Sequence, residues 1–234
     1  MPINNPKTLG LALLLGIIPS LIWLWFWLRE DKKSSEPKGL LSVVFILGMA
    51  SVIFILPVQK FIQSHISSNE IELVLWAGTE EIIKYLAVLI ILSGTNHADE
   101  PVDWPIYLIT AALGFAALEN ALFLIKPLST SASTVGLLTG QLRFLGSTLL
   151  HTITSGIIGV AIGISFFMGI LGRKVFLLAG FAAAIALHSA FNFFIIRNDG
   201  NDFLKVFAFL WVVAIIVMLL FEKVRRMSKN YQIK

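Results

Sequence analysis

The chain has 234 residues, 57% of them hydrophobic and 14% charged, with a mean hydropathy of +0.85, which excludes an ordinary water-soluble domain. It contains no cysteine, so disulfides, thiolate nucleophiles and Cys-based metal sites are excluded. The net charge of +4 does not point to nucleic acid, because Lys223, Arg225, Arg226, Lys229 and Lys234 follow the last apolar run, where they suit the anionic surface of a lipid bilayer.

A helix crossing a hydrocarbon core of about 30 Å needs roughly 20 apolar residues. Seven segments qualify: 8–28, 40–62, 70–93, 104–125, 137–168, 174–196 and 203–222. The first ends in the bulky run WLWFWL with no small-residue cleavage site, so it reads as a retained helix with an aromatic interfacial belt rather than a signal peptide. The fifth is overlong, about 48 Å if helical throughout, and must tilt, kink or protrude. Gly136, Gly140, Gly146, Gly156, Gly159 and Gly163 run through and just ahead of it, which suits a break or a very close helix contact. The linkers REDKKSSEPKG, NHADEPVD, KPLSTSAST and RNDGND have loop composition. No internal repeat or soluble domain is visible, so residues 1–234 form one integral membrane domain, an all-α polytopic bundle of about seven helices. Lys and Arg in alternate loops favour an outside N-terminus and a cytoplasmic C-terminus by eleven to five.

Five charged residues lie well inside the predicted spans, away from their ends: Glu80, Glu81 and Lys84 in the third, Glu119 in the fourth and Arg143 in the fifth. Each costs about 2.5–3.5 kcal/mol at a bilayer centre and needs a reason. His151 in the fifth span, and His188 with Asn192 in the sixth, complete a polar set on four helices. Glu80 with Lys84, His151 with Ser155, and His188 with Asn192 are each four residues apart and share a helix face. Counted from the nearer outer boundary, Glu80 lies about 15 Å deep, Glu119 about 9 Å and His188 about 12 Å. These groups can therefore meet in the middle to outer half of the membrane. A purely structural account pairs Glu80 or Glu81 with Lys84 and Arg143 with Glu119, with the histidines as interhelical glue. It leaves one of three carboxylates without a cation. Ser155, Thr148 and Thr152 are expected to bond their own helix backbone, His65 and His97 to be solvated loop residues, and no serine has a nucleophile context.

Carboxylates and imidazoles in a confined wet pocket suit water activation and hydrolysis. The same inventory serves a proton- or metal-ion-coupled transporter. The motifs then become specific as an ordered set: Glu80-Glu81-x-x-Lys84, Phe115-x-x-x-Glu119-Asn120, Arg143 followed by His151, and His188-x-x-x-Asn192. Over roughly residues 70–196, taken as a four-helix catalytic core, the chain resembles the PrsW family, which is similar to the CAAX prenyl proteases and the bacterial CPBP group of glutamate-dependent intramembrane proteases. The outer helices match only in being hydrophobic. The EExxK form, and Glu119 where CAAX proteases typically have a histidine, favour PrsW over prenyl-protein processing.

The resemblance implies hydrolysis of a peptide bond in a membrane-associated protein, for the best-known members site-1 cleavage of an anti-sigma factor on the extracytoplasmic side. It makes Glu80 and Glu81 the base that activates water, and has Glu119 hold that water or a metal. His151 and His188 orient or stabilise the tetrahedral intermediate, and Asn192 steadies His188 or donates to the oxyanion. Lys84 and Arg143 balance charge, with Phe115 and Asn120 in support. A divalent metal such as zinc would suit Glu81, Glu119, His151 and His188 as ligands. The glutamate-only account needs none and is slightly preferred. The expected location is a prokaryotic plasma membrane.

Overall fold

The computed structural model describes residues 5–29, 36–130, 144–197 and 203–232. Within them the chain forms seven α-helices: α1 (Pro6–Arg29), α2 (Lys38–His65), α3 (Asn69–Leu92), α4 (Asp103–Thr130), α5 (Leu149–Ile164), α6 (Ile170–Arg197) and α7 (Phe203–Gln232). A π-helical turn, Phe144–Thr148, leads into α5. No strand occurs among the described residues. The protein is a polytopic helical membrane bundle, and each of the seven predicted spans corresponds to a helix.

Six helices are long and apolar enough to cross a membrane. The seventh, α3, has 24 residues, but every 18-residue stretch of it contains Glu80, Glu81 and Lys84. It starts on a Ser68 cap whose side chain accepts from Ile71 N at 3.4 Å, with Glu70 and Glu72 favourably placed in the first turn. Its buried stripe runs through Ala77, Glu80, Glu81, Lys84, Ala87 and Val88, so its charges face other helices rather than lipid.

The apolar windows of α4 and α5 are each 72% buried, against 17% in α1 and α6, so α4 and α5 form the centre of the bundle. Large apolar residues exposed on the outer helices, such as Leu171, Leu178, Leu204 and Leu219, form the surface that lipid covers. Backbones approach closely around α4. A Cβ at Gly48 of α2 would strike the Ala111 carbonyl oxygen, and one at Gly114 of α4 would strike that of Phe45. The two helices are seated on reciprocal glycines.

The overlong fifth segment ends earlier than the sequence predicts. α5 stops at Ile164, where Ser165 Oγ donates to the Ala161 and Ile162 carbonyls at 3.0 Å. Arg173 then donates to the carbonyls of Phe166 (2.5 Å) and Met168 (3.1 Å), satisfying the turn that starts α6 at Ile170 rather than 174. The close contacts expected of its glycines are present at Gly159 and Gly163, which lie against Pro105 and Pro101. Gly136 and Gly140 lie outside the described residues.

Contacts join the start of α4 to the end of α7 and to the segment before α2. At the end expected to be cytoplasmic, Val102 N at the start of α4 donates to Ser228 Oγ of α7 at 3.0 Å, and Tyr107 Oη donates to Glu36 just before α2. Between this end and the polar set lies a block of packed apolar side chains that includes Val88, Ile109, Leu113, Ile158 and Ala184.

Gly114→Leu is expected to force α2 from α4, destabilising the fold by about 1–3 kcal/mol as overpacking does, read as a lower thermal midpoint in detergent. Gly10→Leu, where nothing lies within 4 Å of the added Cβ, leaves that midpoint unchanged.

Candidate active site

Glu81 is wholly buried and saturated with donors. Its Oε1 accepts from Lys84 Nζ at 2.7 Å, Thr154 Oγ1 at 3.0 Å and His188 Nδ1 at 3.0 Å, and its Oε2 accepts from Ser155 Oγ at 2.8 Å. These partners come from α3, α5 and α6, so one carboxylate ties three helices together. Thr154 and Ser155, both buried on α5, each donate to one of its two oxygens. Ser155 was expected to bond its own backbone and instead faces Glu81. Thr152 does bond back, to Thr148 O at 2.7 Å, while Thr148 Oγ1 accepts from Asn120 Nδ2 at 2.9 Å.

Lys84 is as deeply buried as its partner. Besides pairing with Glu81, its Nζ lies 2.8 Å from His151 Nδ1 and 4.7 Å from the centre of the Phe115 ring. An ammonium only donates, so Nδ1 of His151 accepts, and the ring proton sits on Nε2, which donates to Glu119 Oε2 at 3.1 Å. Ser147, on the π-helical turn, donates to the same Glu119 oxygen at 3.3 Å. π-Helical turns concentrate at functional sites, and this one turns Ser147 and Thr148 toward α4.

Glu80 has a different environment. Its Oε1 accepts from Gln59 Nε2 of α2 at 2.7 Å. Its Oε2 is buried with no hydrogen-bond partner among the described residues. His188 Nε2 lies across from it, 3.6 Å away. With Nδ1 donating to the Glu81 carboxylate, the neutral His188 ring carries its lone pair on Nε2. Two acceptors thus face each other inside the bundle, an arrangement completed by a proton, a polarised water or a cation.

The His151 and His188 rings are 5.0 Å apart and nearly perpendicular, and Phe115 packs 5.3 Å from His151. Glu80, His151 and His188 each offer a ligand atom, all within 4.8 Å of one another. Glu80 Oε2 and His188 Nε2 fit a divalent ion as they stand, and His151 fits as a third ligand once its bond to Lys84 or Glu119 yields. Glu81 and Glu119, candidate ligands from the sequence should a metal be present, are hydrogen-bond acceptors beside this trio.

The structure therefore brings together Glu80, Glu81, Lys84, Phe115, Glu119, His151 and His188. Asn120 lies one step away through Thr148. Asn192, one turn beyond His188, is half-buried and makes no hydrogen bond to another described residue, so it does not steady His188 here. Arg143, with its expected pairing to Glu119, lies outside the described residues. His97 is exposed in the α3–α4 loop as expected, while His65 ends α2, exposed and stacked on Phe61 at 4.2 Å. Gln59, the indole-to-backbone bond that anchors it (Trp76 Nε1 to Gln59 O, 3.2 Å) and Thr154 were not foreseen. The available signal was a lone glutamine in the apolar run VIFILPVQKF.

Residues 36–221 match the family model described as PrsW family intramembrane metalloprotease. The chain belongs to the PrsW family. It is 29% identical over 213 residues to Protease PrsW of Clostridioides difficile, covering 88% of this chain and 83% of that one. Against Protease PrsW of Geobacillus kaustophilus it is 26% identical over 187 residues, 79% of each chain. Against that of Bacillus subtilis the figures are 25% over 201 residues, 84% of this chain and 88% of the relative. No solved structure matches. The PrsW match is wider than the four motif helices, taking in α2 and most of α7 and leaving only α1 wholly outside. These relatives are bacterial, and PrsW membership makes the protein a multi-pass membrane protein of a protease family.

Because Glu81 neutralises a fully buried lysine, Glu81→Gln is expected to leave that charge uncompensated and destabilise the fold by about 3 kcal/mol. Glu80→Gln, which leaves no buried lysine without its partner and keeps an oxygen able to accept from Gln59, leaves the thermal midpoint in detergent within a few degrees of wild type.

Proposed function

We propose that this protein cleaves a peptide bond of a membrane-associated protein substrate, using a water held between Glu80 and His188. The observation that carries this is the buried pair of acceptors, Glu80 Oε2 and His188 Nε2, 3.6 Å apart at the meeting point of α3 and α6. Glu81 fixes the His188 tautomer so that its lone pair faces Glu80, and Lys84 fixes that of His151. A water between the pair gives a proton to Glu80 as its oxygen bonds the substrate carbonyl carbon. By the family resemblance, Asn192 donates to the resulting oxyanion. Glu80 then returns the proton to the leaving amine as the C–N bond breaks.

A specific observation favours a second account of the same water. The orphaned Glu80 oxygen within a Glu80, His151 and His188 trio fits a divalent ion such as zinc, and the family's description is that of a metalloprotease. These three residues would hold the ion, which would supply a Lewis acid for water and carbonyl. A transporter would need polar groups continuing to the cytoplasmic end, and the Val88, Leu113 and Ile158 block interrupts them.

With the N-terminus outside, the site lies in the middle to outer half of the membrane, which suits extracytoplasmic site-1 cleavage. By resemblance the substrate is a single-span, anti-sigma-factor-like protein in a bacterial plasma membrane.

The test is cleavage of single-span membrane peptides by purified protein in liposomes. Glu80→Gln is expected to lower kcat by about a hundred- to ten-thousand-fold in a folded protein, and His188→Ala to lose cleavage as well. Undiminished cleavage by folded Glu80→Gln rejects the proposed base. On the metal account, wild type binds one zinc per chain in equilibrium dialysis, both variants lose it, and a chelator stops cleavage until zinc is restored. Full cleavage in chelator by protein without bound zinc leaves Glu80 alone as the activating group.

A further inference from the structure

The polar set on α3 to α6 leaves one of its members under the control of a helix outside that set. Gln59 stands near the end of α2 opposite the basic cytoplasmic end, two residues after Pro57, and its amide reaches across to α3. It donates from Nε2 to Glu80 Oε1 at 2.7 Å. Its own backbone carbonyl accepts the Trp76 indole N–H at 3.2 Å, one turn before Glu80 on α3. The α2–α3 hairpin is therefore pinned twice at the same level, once through the Gln59 main chain and once through its side chain.

The two bonds determine where the carboxylate points. With Oε1 held toward α2, the remaining oxygen, Oε2, is turned inward to His188 Nε2. Turning the Glu80 carboxylate out of this plane would break the Gln59 bond, so the amide donor opposes it. Glu80 has no other hydrogen-bond donor among the described residues, whereas Glu81 has four. One glutamine thus does for Glu80 what Lys84, Thr154, Ser155 and His188 together do for Glu81.

We infer that Gln59 is a positioning residue for the reaction, holding the Glu80 carboxylate with Oε2 aimed at His188. The inference rests on the protease function proposed above, and it holds whether the space between Glu80 and His188 takes a water or a divalent ion. It predicts a loss in kcat rather than in KM, because Gln59 meets Glu80 and not the substrate.

The experiment compares wild type, Gln59→Leu and Gln59→Asn, the latter one methylene too short to span the contact, with Val58→Ala at the neighbouring lipid-facing position as control. Two readouts are taken on the full-length protein in liposomes. The first is the carboxylate stretching band of Glu80 in the infrared, assigned as the band lost in Glu80→Gln, which reports its hydrogen bonding without any turnover. The second is kcat and KM on a peptide that wild type cleaves.

In both Gln59 variants the Glu80 band is expected to shift and kcat to fall about 10- to 100-fold, the scale of one hydrogen bond to a charged group. KM stays within two-fold, and Val58→Ala matches wild type in both readouts. A Glu80 band that does not move in Gln59→Leu overturns the inference, as does a kcat within two-fold of wild type. A variant that loses its fold shows a collapsed thermal midpoint, and Gln59→Asn, which keeps a polar amide at the site, then decides. If wild type cleaves no peptide, the protease assignment fails on its own, and the infrared band still upholds or overturns Gln59 as the group that orients Glu80.

Discussion

The arrangement of the bundle depends on the Glu81 carboxylate, buried without solvent contact yet met by four donors from three helices. A carboxylate removed from water loses tens of kcal/mol of solvation in the idealised limit and several in a real protein. It is tolerable only when every lone pair is matched, so the positions of α3, α5 and α6 are coupled through it. Lys84 depends on Glu81 in turn, and through Lys84 the tautomer of His151 is set. A charged pair that looks like a structural expense thereby fixes the orientation of both histidines.

That constraint explains why two adjacent glutamates have unlike roles. Glu81 spends all its acceptor capacity on the scaffold. Glu80, next to it on the same helix, has one oxygen held by Gln59 and one facing His188 with no hydrogen-bond partner among the described residues. Among the described residues the one ammonium beside this pair of glutamates, that of Lys84, is held by Glu81 and not by Glu80.

The close seating of α4 makes this possible. Glycines facing carbonyls at Gly48 and Gly114 bring the backbones of α2 and α4 into contact, and Gly159 does the same for α5 against Pro105. Short interhelical distances let side chains of modest length, such as Asn120 with Thr148 and Gln59 with Glu80, bridge between helices. The apolar block beneath the site, from Val88 to Ile158, keeps the polar network at one level of the membrane. The same features exclude lipid and bulk water from the acceptor pair.

The sequence by itself determined the spans, since twenty or so apolar residues in a row have few alternatives in lipid, and it determined which residues are costly there. Glu80, Glu81, Lys84, Glu119, His151 and His188 were legible because an ionisable group in an apolar run stands out from its neighbours, and their order carried the family resemblance. Helix ends set by side chains reaching over turns, as Ser165 and Arg173 do, were not legible from hydropathy. Tertiary structure alone decided that Lys84 pairs with Glu81 rather than Glu80, that Ser155 turns from its own backbone to a carboxylate, and that α2 contributes Gln59. The physical reason is that periodicity fixes the face a residue occupies to within a turn, whereas a hydrogen bond depends on ångström distances between helices. Those distances are set by glycine contacts far along the chain from the groups they bring together.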